Sequence, residues 1–313
     1  MWRDIIGHEN LIGVLSGFVR TGKLPHALLF TGPAGVGKTM VAREFFKAVN
    51  CLKSPGRPCD SCRSCLKMRS GFHPDFITVG PSEDRTVILI GDIRKAISEV
   101  SLKPFEAHTR VVVVEPAERM NNAGANALLK TLEEPPDATL IILVSHNPSL
   151  LLPTIISRCQ VLRFAPLDAA AFEKGPLSPA LLRLTSGTMG GLKDFDEEQV
   201  LRIRSEILQA LREGDPVRLV SKYFPAQEKG GELLPIVVLL AESLIRDLLI
   251  MVNGGEDLIN EELRGLPVRG SGYPELEDAA TCLRSIRRGA SENIRLPNAL
   301  SELFMRLQQM LFA

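Results

Sequence analysis

The octapeptide Gly32-Pro33-Ala34-Gly35-Val36-Gly37-Lys38-Thr39 limits the fold more than any other stretch of the chain. Glycines at 32, 35 and 37 let the backbone turn tightly and bring successive N–H groups against an oxyanion. Lys38 then reaches the outer phosphates of a nucleotide, and Thr39 can hold Mg²⁺. The loop needs a strand before it and a helix after it. The apolar run 26–30 reads as that strand and residues 37–49 as that helix, whose N-terminal dipole favours an anion. A chance glycine-rich turn is the bland alternative, and it leaves this context unexplained.

The rest of the first half repeats the alternation. Strands are predicted over 75–79, 110–114, 139–145 and 159–164, with helices over 91–102 and 122–134 between them. Short apolar strands alternating with helices predict an α/β fold, a parallel sheet covered on both faces. After Phe164 no strand pattern remains. Residues 165–175 and 178–195 read as short helices of a small unit. From 196 onward longer helices follow, with Val200, Ile203, Ile207, Leu208 and Leu211 at helical spacing. The Gly/Pro-rich stretch 253–274 has no apolar period and reads as a long connection. A length of 313 residues agrees with two or three domains.

A chain with 45% hydrophobic and 24% charged residues is of the soluble globular class. Lys+Arg and Asp+Glu both total 37, so no overall field draws it to nucleic acid or membrane. The charge is uneven: residues 1–70 hold 11 Lys/Arg against 4 Asp/Glu, a surplus of 7 positive charges. Either an ordinary solvated surface or a site for polyphosphate or DNA backbone accounts for that. The N-terminus lacks the pattern of a signal peptide. The most apolar segment, 233–252, carries Glu242, Arg246 and Asp247, each costing about 2.5–3.5 kcal/mol at a bilayer centre. No membrane span is expected, and the expected compartment is the cytoplasm.

Reduced thiols in that compartment favour metal over disulfide for clustered cysteines. Cys51, Cys59, Cys62 and Cys65 form C-x7-C-x2-C-x2-C, a spacing that lets four thiolates surround one tetrahedral ion. With no histidine and no spare ligand, a structural Zn²⁺ is expected; two disulfides or an iron–sulfur cluster are the alternatives. Cys159 and Cys282 stand alone and read as buried apolar side chains.

Three further stretches are specific. Residues 126–136 (NALLKTLEEPP), 153–160 (PTIISRCQ) and 24–39 (LPHALLFTGPAGVGKT), with the four-cysteine insert after the loop helix, resemble the bacterial DNA polymerase III clamp-loader family. GFHPDF (71–76) and Glu115-Pro116 resemble its delta-prime branch more than its gamma/tau motors. The resemblance is dense over 1 to about 165. It implies an AAA+ P-loop core over 1–164 with a zinc module at about 50–66, a helical lid over 165–195, and an all-α collar over 196–313. It further implies membership of a hetero-pentamer with gamma/tau and delta subunits that places the sliding clamp on primed DNA. The chain would be a component of a DNA polymerase without being one itself. Arg158 falls on the family's Ser-Arg-Cys arginine, which enters a neighbour's ATP site as a finger, with Ser157 and Cys159 orienting the turn. A salt-bridged loop arginine is the alternative.

The family's motor subunits place Asp-Glu after the strand that ends at Val114. Here Glu115 takes the Mg²⁺-side position, while Pro116 takes that of the water-activating glutamate. Proline has no acid–base group, and losing general-base catalysis costs roughly 10²–10⁴-fold in rate. Glu118 sits two residues further on, on a different side of the turn. The chain therefore reads as a subunit that holds ATP and Mg²⁺ weakly or statically and lends Arg158 to a neighbour; an active gamma/tau-type motor is the alternative. Ser145, His146 and Asn147 are all candidates for the polar γ-phosphate sensor. Residues 186–195 lack the usual lid arginine, with Lys193 nearby. Ile5, Ile6 and Gly7 fall where the family packs around adenine, or belong to the ordinary core.

Overall fold

The computed structural model describes residues 2, 5–53, 58–82, 85–100, 103–167, 179–185, 196–225, 233–268, 273–289 and 296–312. The chain divides into two compact units, Met1–Gly175 and Pro176–Ala313.

The first unit is built on a five-stranded sheet: β1 (Ala27–Thr31), β2 (Phe76–Val79), β3 (Arg110–Val114), β4 (Thr139–Ser145) and β5 (Gln160–Arg163). All pairings are parallel, in the spatial order β2-β3-β4-β1-β5. Alternate residues of each central strand face opposite ways, as the pleat requires. Leu28, Phe30, Val111, Val113, Leu140, Ile142 and Val144 belong to one core. Ala27, Leu29, Val112, Val114, Ile141 and Leu143 belong to the other. The valine run at 111–114 is apolar throughout because both faces of β3 are covered.

Helices α1 (Glu9–Thr21) and α2 (Lys38–Val49) supply Ile12, Leu15, Val41, Phe45 and Phe46 to the first core. The second core is closed by Ile93 and Ala96 of α4 (Ile90–Val100), Leu128 and Leu132 of α5 (Asn122–Glu133), and Ile155 of α6 (Pro153–Ile156). Helix α3 (Arg63–Arg69) lies in the cysteine insert between α2 and β2. The register pairs Thr31 with Ser145 and Val114 with Leu143, so the carboxyl ends of β1, β3 and β4 share one edge. Ligands of open α/β sheets bind beyond that edge.

The second unit is helical among its described residues: α7 (Pro179–Leu184), α8 (Glu197–Glu213), α9 (Pro216–Tyr223), α10 (Leu234–Val252), α11 (Tyr273–Gly289) and α12 (Leu296–Phe312). The spacing read from the sequence is the one buried: Val200, Ile203, Ile207, Leu208 and Leu211 join Leu181, Leu184, Leu244, Leu248, Leu303 and Leu307 in one core. Asp247 is fully buried in α10, and its carboxylate accepts from the backbone N–H of Ile259 at 2.9 Å and of Asn260 at 2.6 Å. The Gly/Pro-rich connection is thereby fastened at its start and contains one 3₁₀ turn, Glu261–Leu263. Residues 168–178 and 186–195, including Lys193 and most of the expected lid, lie outside the described residues. No described helix is long and apolar enough to cross a membrane.

Candidate functional site

The loop after β1 has a conformation only glycine permits at its first position. Gly32 has φ +143°, and a Cβ there would stand 2.2 Å from the Phe164 carbonyl oxygen. Gly37 has φ +91° and caps α2 without a side chain, so the first-turn N–H groups of α2 remain free for an anion. Lys38 is 3% exposed. Its ammonium donates to Gly32 O at 2.7 Å, Pro33 O at 2.6 Å and His146 Nδ1 at 3.0 Å. Burial pushes its pKa down to about 8, against the pull of Glu115 and Glu118.

Thr39 donates to Glu115 Oε2 at 2.5 Å. A hydroxyl and a carboxylate are thus adjacent at the mouth of the loop, the donor pair that holds Mg²⁺ beside a triphosphate. The residues fit Mg²⁺–ATP: the cradle is shaped by Gly32, Pro33, Ala34, Gly35, Val36 and Gly37, the cation is Lys38, and the metal oxygens are Thr39 and Glu115. The Glu115–Pro116 peptide is cis.

Glu118 does not turn away, contrary to the sequence expectation. Ala117–Arg119 form a 3₁₀ turn, and Glu118 Oε1 accepts from the His146 backbone N–H at 3.1 Å. The local sequence gives no sign of this, because the partner arrives from β4. Glu118 Oε2 and Ser145 Oγ are both buried without a hydrogen-bond partner. Of the three sensor candidates, only His146 touches Lys38. Asn147 Oδ1 instead accepts from Ser149 at 2.5 Å. The His146 imidazole is held below its ordinary pKa by burial and by Lys38, and its Nδ1 accepts the ammonium proton, so the ring is neutral with its hydrogen on Nε2.

The segment expected at adenine is tied to the loop by a residue the sequence did not single out. His8 Nε2–H donates to Val36 O at 2.9 Å, and its ring lies edge-on to Phe164 at 5.0 Å. Ile5 is buried in the same core as Val36, Ile6 is partly buried, and Gly7 has a positive φ.

Arg158 sits on the turn between α6 and β5. Its side chain is 34% exposed; it donates to Thr154 O at 2.9 Å and pairs with Glu133 at 2.6 Å, a carboxylate itself 50% exposed. Ser157 Oγ donates to Thr154 O at 3.1 Å, which stiffens the turn. Cys159 packs on the second core, and burial pushes its thiol up to about 12, so it is an inert packing group.

At the other end of α2, the Sγ atoms of Cys51, Cys59, Cys62 and Cys65 all lie within 4.8 Å of one another. Four thiolates on one tetrahedral Zn²⁺ at about 2.3 Å would stand about 3.8 Å apart, close to the 4.0 Å between Cys59 and Cys65. No disulfide joins the four cysteines. Hydrogen bonds from Ser61 and the Cys62 N–H pull the Cys59 thiol down, while burial pushes the neighbouring Cys65 thiol up. The residues fit a closed structural zinc, which would supply cross-linking and no open coordination position.

The GFHPDF stretch proves to be the floor of this knob. Asp75 is fully buried and accepts from the N–H groups of Phe105 at 2.7 Å, Glu106 at 2.8 Å and Ala107 at 2.9 Å, and from Arg110 at 2.9 Å. His73 meets Ser64 at 3.3 Å between two of the cysteines. Lys47, near the end of α2, bridges Glu44 at 2.6 Å and Asp60 at 2.5 Å.

A profile of the family described as DNA polymerase III, delta subunit, matches residues 7–168, just over half of the chain. The DNA polymerase III subunit delta' of Bacillus subtilis (strain 168) is 32% identical over 270 residues, covering 81% of each chain. The chain belongs to the DNA polymerase III delta-subunit family. The subunit tau of the same organism is also similar, 31% identical over 236 residues, 75% of this chain and 39% of tau. A solved structure of a DNA polymerase III gamma subunit-related protein from Thermotoga maritima superposes with a TM-score of 0.54 at 17% identity, covering 96% of this chain and 99% of that one. The α/β fold expected from the sequence, a parallel sheet with the phosphate loop between β1 and α2, is the fold observed for this family member.

Proposed function

We propose that the chain acts as a delta-prime-type subunit of the DNA polymerase III clamp loader. In this reading it joins gamma/tau and delta subunits in a five-membered cytoplasmic ring that helps place the sliding clamp on primed DNA. An AAA+ core spans 1–164, a lid 165–195 and a collar 196–313. The loop 32–39 holds Mg²⁺–ATP as a fixed clip, and Arg158 serves a neighbouring ATPase site.

The observation that carries this reading is Pro116. Glu115 reaches Thr39 at the metal position. The next residue, where a motor subunit would hold its water-activating carboxylate, offers only a pyrrolidine ring. Binding groups are therefore complete and the base is missing. Lys38 would leave Gly32 O and Pro33 O for the phosphates. His146, which meets Lys38 at 3.0 Å, would stand beside the phosphates that Lys38 reaches. Arg158 supports the second half of the reading because its bond to Glu133 is an exposed ion pair, of a kind worth about 0–1 kcal/mol. A guanidinium held that loosely can exchange Glu133 for a partner's triphosphate, where such a group stabilises developing charge.

One observation favours the alternative, an active gamma/tau-type motor. Glu118 reaches the site and leaves Oε2 without a partner. Reconstitution of the complex separates the two. Arg158→Ala should leave assembly intact and lower the DNA-stimulated ATPase of the adjoining motor subunit. Unchanged ATPase would remove the finger role.

A further inference from the structure

Phe72 and Phe105 are the most exposed large apolar side chains among the described residues, at 84% and 78%. Singly exposed apolar residues are ordinary. These two share one scaffold. Phe72 stands on the closing turn of α3, where its N–H donates to Lys67 O at 3.1 Å. The segment carrying Phe105 is drawn against the same helix: Glu106 pairs with Lys67 at 2.5 Å and with Arg63 at 3.3 Å. Beneath both, the buried Asp75 carboxylate accepts the Phe105 and Glu106 N–H groups. The two rings are thus mounted on a fixed floor.

Cations flank both rings along the chain, Arg69 three residues before Phe72 and Lys103 two before Phe105. Arg63 is 74% exposed at its side chain. Arg69 and Lys103 are exposed and form no ion pair among the described residues. Leu66 lies exposed on the same short helix. This surface holds part of the positive surplus of residues 1–70, which the phosphate loop alone does not use. Fixed aromatic rings flanked by cations suit a polyanion with free flat faces. A single strand offers both, its bases stacking on phenylalanine and its phosphates meeting Arg and Lys. In a duplex the base faces are already stacked on each other.

We infer that the outer face of the cysteine knob, with Phe72 and Phe105 and the neighbouring Arg63, Arg69 and Lys103, binds single-stranded DNA. This surface is separate from the nucleotide loop and from Arg158, and stands or falls without them.

Fluorescence anisotropy of a labelled oligothymidylate of about 20 nucleotides, titrated with the full chain at low salt, tests the inference. Binding that weakens as salt rises is expected. Phe72→Ala with Phe105→Ala should weaken it about tenfold or more, and Phe→Trp at both positions should restore it. Arg69→Gln with Lys103→Gln should flatten the salt dependence by roughly 1.4 in log–log slope, about 0.7 for each phosphate no longer neutralised. All four side chains are exposed, and unchanged melting curves would show that the variants are folded. The inference is overturned by an absence of binding at about 100 μM chain, or by affinity unaltered in the double Phe→Ala variant. Binding abolished instead in Lys38→Ala would place the polyanion in the phosphate loop and equally overturn it. So would a duplex or an acidic peptide that binds as tightly as the single strand.

Discussion

The two ends of α2 carry different sets of donor groups. At its N-terminus lie Lys38, Thr39 and the glycine cradle; just past its C-terminus the four thiols begin at Cys51, about 18 Å away along the helix axis. The thiol set is complete: four donors, matched spacing, N–H groups supporting Cys59, and a braced floor. In the proposed reading the phosphate site can hold a nucleotide and cannot readily cleave one: cradle, Lys38, Thr39 and Glu115 are in place, and Pro116 follows Glu115. A site that only holds needs its donors and nothing more, whereas a cleaving site also needs a group that activates water. A catalytic site can lose one residue and survive as a holder. Arg158, half-buried and held by an exposed carboxylate, has the loose pairing that the proposed role at a neighbour's site would need.

The largest effect should come from the complete site. Cys65→Ser should reduce zinc from about one ion per chain to nearly none by elemental analysis, with a marked loss of thermal stability. A metal-free wild type prepared without chelator would break the comparison at once.

Next comes the floor of the knob. Asp75→Ala removes the carboxylate facing the buried Arg110 guanidinium and strands three N–H donors, so a loss of about 3–5 kcal/mol is expected by urea unfolding. The sign of the pH effect follows from the same hydrogen bonds. Burial pushes the Asp75 carboxyl up, but the Glu106, Phe105 and Ala107 N–H groups and Arg110 outweigh it and hold the group below its ordinary value. A depressed carboxyl contributes fully above its unfolded value of about 3.9 and loses that contribution as pH falls through its folded value. Wild type should therefore lose stability below about pH 4, more steeply than Asp75→Asn.

At the incomplete site, Lys38→Ala should weaken ATP binding by roughly ten- to a hundredfold, the cost of about 1.5–3 kcal/mol for charge-assisted hydrogen bonds. The zinc content should not change. Lys38 is held at about 8 by burial, and phosphate oxygens would raise it. Binding then takes up a proton, so ATP affinity measured by calorimetry should fall as pH rises above about 8. Affinity that is flat from pH 7 to 9 would mean that Lys38 does not meet the phosphates.

The smallest effect belongs to Glu133→Gln. The pair with Arg158 is exposed, and the melting temperature should shift by no more than about 1 kcal/mol allows.

Periodicity and turn chemistry made most of the first unit legible. The loop 32–39, the valine strand and the five-strand α/β pattern rest on local rules, and each appears within a residue or two of its expected place. The four cysteines were equally legible, because their ligand spacing is local. Interactions assembled from distant segments were not. Glu118 looked misdirected until β4 brought the His146 N–H to it. That His146 is the sensor candidate bonded to Lys38 needed the side-chain direction at a strand end. Asp75 appeared only as part of a motif, since the N–H groups it gathers lie about thirty residues on. The exposed pair Phe72 and Phe105 was invisible for the same reason.

The measurement that bears most directly on Pro116 is the fate of ATP on the isolated chain. Bound nucleotide should be recovered as intact ATP, with turnover at least about 10²-fold below that of a gamma/tau subunit assayed alongside. Turnover at the motor's rate, abolished by Lys38→Ala and by Glu118→Gln, would contradict the account and make this chain a motor in its own right.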